Sequence, residues 1–322
     1  MFPLKLVPDN TNIPFLSYRY WAMGISIALL IASIALVATR GLNLGVDFVG
    51  GQMFRVSFSQ PANVDDLRGR IGKLNLGDAA IQQFGSPTQV SIRMQLPAGG
   101  EGAANAAAGK VRSAVRVGYP DAKFEAVETV SGKVSGELLR QGAIALALAM
   151  LGISLYIWFR FEWQFGIGAL FTLFHDVVLT FGFFSLTQLE FNLNVVAAIL
   201  TIIGYSLNDT IVVYDRIREN LKKWRKMAIE PLLDLSINET LSRTVVTSLS
   251  VMLTLAILLV MGPEVIFGFT AAMLLGIVIG TLSSIYVSAA ILIWLKVGPD
   301  SFVPRAAPEN AERVTKPEGF VR

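Results

Sequence analysis

The chain has no cysteine and a single histidine, His175, among its 322 residues. No disulfide framework and no thiolate metal site can exist, and one imidazole excludes a multi-histidine metal cluster within the chain. Charge is scarce as well. Asp, Glu, Lys and Arg make up 16% of residues, where soluble proteins run near ~25%. The space is filled by hydrophobic residues, 53% of the total, and by 28 glycines. The net charge of +3 is mild, and no nucleic-acid partner is expected. Where the positive residues sit matters more than their number.

Apolar runs of about 18 or more residues read as membrane spans. Six occur, at 21–39, 142–159, 165–186, 193–214, 245–261 and 265–295. The third is interrupted by His175-Asp176 and the fourth by Asp209. The last is longer than a bilayer needs, so it is tilted, bent or extends beyond the lipid. The first is too long for a removable signal peptide, and "VATRG" after it is a poor match to a small-residue cleavage site.

Lysine and arginine set the orientation. Residues 216–243 read as a basic loop with Arg216, Arg218, Lys222, Lys223, Arg225, Lys226 and Arg243, and the tail after the last span is also basic. Arg160 marks the short link between spans two and three, whereas "TQLEFN" and "GPE" hold no positive residue. Both termini, including residues 1–20 and a disordered tail at 298–322, are therefore expected in the cytoplasm. Residues 41–138 then lie outside, which in a bacterium is the periplasm or the exterior.

That outside segment is a different material. "GQMFRVSF" alternates as a strand, and "NVDDLRGRIGKL" reads as a helix capped by Asn63. "AAIQQFG" and "TQVSIRMQL" read as strands separated by a turn at Ser86-Pro87. "PAGGEGAANAAAGK" reads as a mobile loop leading into a second helix, and "AKFEAVETV" as a last strand. The order β-α-β-β-α-β is the ferredoxin-like split βαβ motif. With no histidine and no clustered carboxylates, it suits docking or spacing rather than chemistry. The expected fold is thus a polytopic α-helical membrane protein, with six transmembrane helices and a small α+β domain between the first two.

A charge near the bilayer centre costs about 2.5–3.5 kcal/mol on insertion scales and is usually functional. Asp209, in "GYSLNDTIVVYDRIREN", is the leading candidate. A carboxyl group removed from water holds a proton more readily, so it can exchange one as its surroundings change. Tyr205, one turn earlier, and Asn208 are candidate hydrogen-bond partners, and Gly204 would let another helix approach. Asp215 reads as an interfacial, ion-paired acid. His175 and Asp176 read either as satisfied core polar groups or as support for the same network. Arg243 reads either as an interfacial anchor or as a partner of Asp209. "GIVIG" at 276–280 is a helix-contact pattern of low specificity. After the first span, "GVDFVGG" contains Asp47 and the pair Gly50-Gly51, which permit a tight turn from helix to strand.

These three motifs, "GVDFVGG", "HD" and "GYSLNDTIVVYDRIREN", in this order over nearly the whole chain, resemble the SecF family of the RND superfamily. The resemblance implies a pseudo-symmetric partner, SecD, in a twelve-span unit associated with the SecYEG channel and often with YajC. It implies use of the proton-motive force to draw preproteins outward across the inner membrane after the SecA motor has pushed them. It further implies that Asp209 lies on the proton path, that Arg243 is its partner, and that an acid from SecD completes the site. The outside domain resembles the family's first periplasmic domain, and Asp47 with Gly50 and Gly51 its signature at the junction. No cofactor, metal or catalytic residue is implied. The coupling ion is a proton by resemblance, while a lone Asp with Asn and Tyr neighbours leaves sodium open.

Three rivals stand beside this reading. A stand-alone small-molecule efflux pump of the same superfamily needs about twice the spans and larger outside domains. An intramembrane aspartyl protease shares "YD" at Tyr214-Asp215 but needs a G-x-G-D that the spans lack. A passive scaffold for SecD would tolerate replacement of Asp209.

Overall fold

The computed structural model describes residues 7–8, 11–77, 79–84, 86–97, 99–125 and 127–298. The disorder expected at the termini falls mostly on 1–6, 9–10 and 299–322, outside the described residues. Helix α1 (Arg19–Arg40) leads through the one-turn α2 (Val46–Val49) into strand β1 (Gly51–Ser57). There follow α3 (Val64–Gly72), β2 (Ala79–Phe84), β3 (Ser86–Met94), α4 (Gly100–Gly118), β4 (Lys123–Phe124) and β5 (Glu128–Val130). Five long helices complete the chain: α5 (Gly132–Arg160), α6 (Trp163–Thr187), α7 (Leu193–Lys223), α8 (Ile229–Met261) and α9 (Phe267–Trp294). Together with α1, these are six helices long and apolar enough to cross a membrane.

The small domain forms as its pattern requires. Asn63 caps α3, its side-chain oxygen accepting from the Asp65 and Asp66 amides. The strands lie in the order β2-β3-β1-β4, with β5 also on β1, and every pairing is antiparallel. This is the ferredoxin-like arrangement. Phe54, Val56, Leu67, Ile71, Ile92, Val111 and Val115 form its buried core. Each such side chain contributes about 1.5–3 kcal/mol on removal from water.

Four local expectations change. The Ala-Gly stretch, expected as a mobile loop, is helical from Gly100 onward. Ala104, Ala107, Ala108, Val111 and Val115 recur at helical spacing and are buried, and alanine is the best helix former. The small side chains disguised an ordinary amphipathic helix. Ser86 and Pro87, expected as a turn, open β3. Proline's missing N–H costs little at the first positions of a strand. The last strand is split into β4 and β5, both against β1. Finally, the basic segment 216–243, expected as a loop, is mostly helix. α7 runs on to Lys223 and α8 begins at Ile229. Hydropathy marks where helices leave lipid, not where they end.

The membrane helices form an inner and an outer set. α9 packs against α6, α7 and α8, and α1 lies against α6. In the most apolar windows, 67% of α9 and 61% of α6 are buried within the chain, against 6% of α5. The outer faces of α1, α5 and α8 are therefore left for lipid or another subunit. The α7–α9 approach is close because Gly276 and Gly280 face Ile202 and Ser206. A Cβ at Gly276 would overlap the Ile202 side chain. The G-x-x-x-G pattern thus has a defined partner. Gly204 has none, being exposed with open space around it.

Gly51 starts β1 at φ +125°, and a Cβ there would overlap the Met94 carbonyl. Gly51→Ala is expected to destabilise the small domain by about 1–3 kcal/mol. Thermal unfolding of the purified variant checks this.

Candidate functional site

Asp209 stands midway along α7 and is 8% exposed. Both of its carboxylate oxygens are engaged by hydroxyls from other helices. Thr244 Oγ1 on α8 donates to Oδ1 at 2.7 Å. Ser284 Oγ on α9 donates to Oδ2 at 2.6 Å. Both distances lie within the ordinary range for O–H···O bonds. Among the described residues no Lys or Arg is ion-paired with Asp209.

The partners expected from sequence are arranged differently. The Tyr205 hydroxyl donates to Ser248 Oγ at 3.2 Å rather than to Asp209. Ser248 in turn bonds Thr281 at 2.8 Å. Asn208 is exposed, because one residue along a helix is a rotation of about 100°. Arg243 is exposed for the same reason, and the next residue, Thr244, holds the inward position. Asp215 is ion-paired as expected, but its partner is Arg160 across the α5–α6 link, at 2.9 Å. Arg216 pairs instead with Glu239 and Glu219.

His175 and Asp176 form a second buried cluster beside the first. Asp176 is 1% exposed. Its Oδ1 lies 3.0 Å from His175 Nδ1. Its Oδ2 accepts from Ser206 Oγ at 2.6 Å and Ser283 Oγ at 3.0 Å. Consecutive serines of α9 therefore hold the two aspartates. Sequence reasoning missed Thr244, Ser206, Ser283 and Ser284. A signal existed: Thr281, Ser284 and Ser288 recur at one-face helical spacing within the last span. Hydropathy hides such residues because they bond their own helix, as Thr172 does to the Gly168 carbonyl at 2.8 Å.

The third element is the junction between α1 and the small domain. Asp47 Oδ2 accepts from the Leu193 amide at 2.9 Å, at the N-terminus of α7, where Asn192 is the N-cap and accepts from the Val195 amide. The backbones of Leu44 and Phe191 form a parallel bridge. Phe191 N–H donates to the Asn43 carbonyl at 2.8 Å and Gly45 N–H to the Phe191 carbonyl at 2.9 Å. Gly50 has φ +76°, and a Cβ there would crowd Gly132 and Ser135 at the start of α5. The helix-free face of the sheet rests on the α6–α7 loop. Arg55 of β1 bonds Glu128 and lies 3.9 Å from Glu190. Arg93 of β3 donates to the Leu44 carbonyl. Burial pushes the Glu190 carboxyl up to about 7, outweighing the opposing pull of Arg55.

This geometry has counterparts. The C-terminal domain of the SecD/SecF protein-export membrane proteins matches residues 110–298. The chain belongs to the SecF family. The SecD/SecF GG motif matches residues 35–62, which include Asp47, Gly50 and Gly51. The protein translocase subunit SecF of Cereibacter sphaeroides is 42% identical over 92% of this chain and 93% of its own length. That of Desulfurispirillum indicum is 43% identical over 88% and 91%. The crystal structure of SecDF, a translocon-associated membrane protein from Thermus thermophilus, superposes with a TM-score of 0.82 at 33% identity. It covers 91% of this chain, and this chain spans 40% of the length of that one. The chain is accordingly a multi-pass SecF-type translocase subunit.

Two consequences are measurable. Asp47→Ala removes the carboxylate that accepts from the first amide of α7 while Asn192 still caps the helix, and is expected to cost about 0.3–1 kcal/mol, seen as a lower unfolding temperature in detergent. Glu190 binds its proton more tightly in the folded junction than the usual value of 4.5 allows. Its contribution to stability is full below about pH 4.5 and is lost as pH rises through about 7. Between pH 5 and 8 the wild-type unfolding temperature is expected to fall more steeply than that of Glu190→Gln.

Proposed function

We propose that the chain acts with a SecD subunit to couple the proton-motive force to late stages of preprotein export across the bacterial inner membrane. The single observation carrying this is Asp209: a carboxyl group buried in the bundle and held, among the described residues, by hydroxyls of α8 and α9. Hydroxyls serve either protonation state, because they donate to a carboxylate and accept from a carboxylic acid. Protonation therefore changes the bonds between α7, α8 and α9 without leaving an unsatisfied group. That is a local charge change biasing how helices pack. One charge crossing the potential supplies about 2.3 kcal/mol per 100 mV.

The surroundings support the orientation in this reading. Arg160, Arg216, Arg218, Lys222 and Lys223 gather at one end of the bundle, which we assign to the cytoplasm together with both termini. The junction, with Asp47 and Glu190, lies at the other end, and with it we assign the ferredoxin-like domain to the periplasm. Arg243 stands exposed one residue before Thr244, on a face of α8 that SecD would cover. There it partners Asp209 when α8 turns, with an acid of SecD opposite. SecYEG, YajC and SecA are the wider assembly, and preprotein passes the periplasmic domain. The chain needs no cofactor and has no hydrolytic role of its own. The coupling ion in this reading is a proton, which a carboxyl group held by two hydroxyls can take up and release.

Inverted membrane vesicles carrying SecD with wild-type protein or Asp209→Asn test this. With ATP constant, the gradient is expected to speed completion of preprotein export in wild type and to have no effect in the variant. Persistence of the gradient's benefit in Asp209→Asn would favour a scaffold instead.

A further inference from the structure

Asp209 is not the only acid in the bundle without a cation. Asp176 is more deeply buried, on a different helix, and its one ionisable contact is His175. His175 is itself 4% exposed. Its Nδ1 faces Asp176, and its Nε2 is buried with no hydrogen-bond partner among the described residues. A buried polar atom left unpaired costs about 1–3 kcal/mol, so a purely structural histidine would be expected to use both nitrogens. The ring also lines a groove of about 230 Å³ between α1, α6 and α9, bordered by Ile25, Leu29, Ser283 and Tyr286.

We propose that His175 and Asp176 form a second proton-binding centre, linked to Asp209 through the adjacent serines Ser283 and Ser284 of α9. This rests on the coupling role of Asp209. The chemistry is a relay through one imidazole. With Nδ1–H donating to Asp176 Oδ1, Nε2 carries a free lone pair. A proton from hydronium forms an N–H bond at Nε2 and leaves water behind. The Nδ1–H bond breaks, and its proton forms an O–H bond on Asp176 Oδ1. The imidazole ends neutral as the other tautomer, and the cluster's charge goes from −1 to zero.

The serines convert that change into packing. Ser283 donates to Asp176 but also lies 3.1 Å from the Gly280 carbonyl of its own helix. Ser284 donates to Asp209 but also lies 2.9 Å from the Thr281 carbonyl. Each hydroxyl therefore has an acceptor across the interface and one within α9. A charged aspartate holds the hydroxyl across the interface, and a protonated one releases it to α9. Ser206 ties the same Asp176 to α7, three residues before Asp209. Loading either acid thus changes what the other experiences, by a single helix and a single pair of serines.

Few other groups enter this titration. From α1, the groove receives Ala22, Ile25, Ser26 and Leu29, and the titratable Arg19, Tyr20 and Arg40 lie at the helix ends. From α9 comes Tyr286, from α7 Asp209 beyond Ser206, and from α5 Arg160, already paired with Asp215. The two aspartates and His175 are therefore the set to measure.

The experiment is infrared difference spectroscopy of the complex with SecD in lipid nanodiscs, titrated in pH, reading the carbonyl band of protonated carboxyl groups. Asp209→Asn is expected to leave a titrating buried-carboxyl band, and the further change Asp176→Asn to remove it. In the Asp209→Asn background, His175→Gln is expected to retain that band and move its midpoint by about one pH unit or more. His175→Gln keeps a polar side chain, so it serves if Asp176→Asn does not assemble. No titrating band in Asp209→Asn, or a band unmoved by His175→Gln, overturns the proposal. Neither result bears on Asp209 itself, whose role stands or falls with the gradient assay in vesicles.

Discussion

An ionisable carboxyl group inside a membrane bundle must find every hydrogen-bond partner within the protein, and the packing here follows from that requirement. Bulk water does not surround such a group, and an unsatisfied one in hydrocarbon costs several kcal/mol. Asp176 and Asp209 draw their partners from α7, α8 and α9. α9 can serve both only because it lies close to α7, and it lies close because Gly276 and Gly280 leave room for Ile202 and Ser206. The small residues, the hydroxyls and the acids are one device.

The same helix that carries Asp209 also reaches the small domain. Asp47 accepts from the first amide of α7, and the loop before that helix is stitched to the α1–β1 junction by backbone bonds. In the proposed mechanism a change in packing at the middle of this helix is carried along it to the end that meets Asp47. Arg55 and Arg93 place the sheet's open face on that loop. The path from buried charge to outer domain is then short and mechanical: one helix, one hydrogen bond at its end and one bridged loop.

Charge is distributed with the same economy. Arg160 with Asp215 and Arg216 with Glu239 close the basic end of the bundle across neighbouring helices. Such exposed pairs contribute only about 0–1 kcal/mol each. They hold these cations at one end of the bundle, away from the inner acids. Tyr205, Ser248 and Thr281 continue the polar seam between α7, α8 and α9 without adding a charge.

Much was legible in the sequence because it depends on local pattern. Six apolar runs against a thin hydrocarbon slab gave the spans, alternation and Asn63 gave the β-α-β-β-α-β order, and the isolation of Asp209 in an apolar run singled it out as the candidate. The uncommon strings around Asp47, His175 and Asp209 carried the family. Ordinary helix was misread where alanine and glycine masked its amphipathic face at 100–108, and where helices continued beyond the lipid at 216–223 and 229–243. The partners of Asp209 were not legible. Sequence proximity suggested Tyr205 and Asn208, and the family resemblance Arg243, yet Thr244 and Ser284 hold the carboxylate. Composition and period determine which residues face inward on one helix. Which hydroxyl of which other helix meets a given carboxylate depends on how α7, α8 and α9 are rotated and offset, and only the tertiary packing decides that.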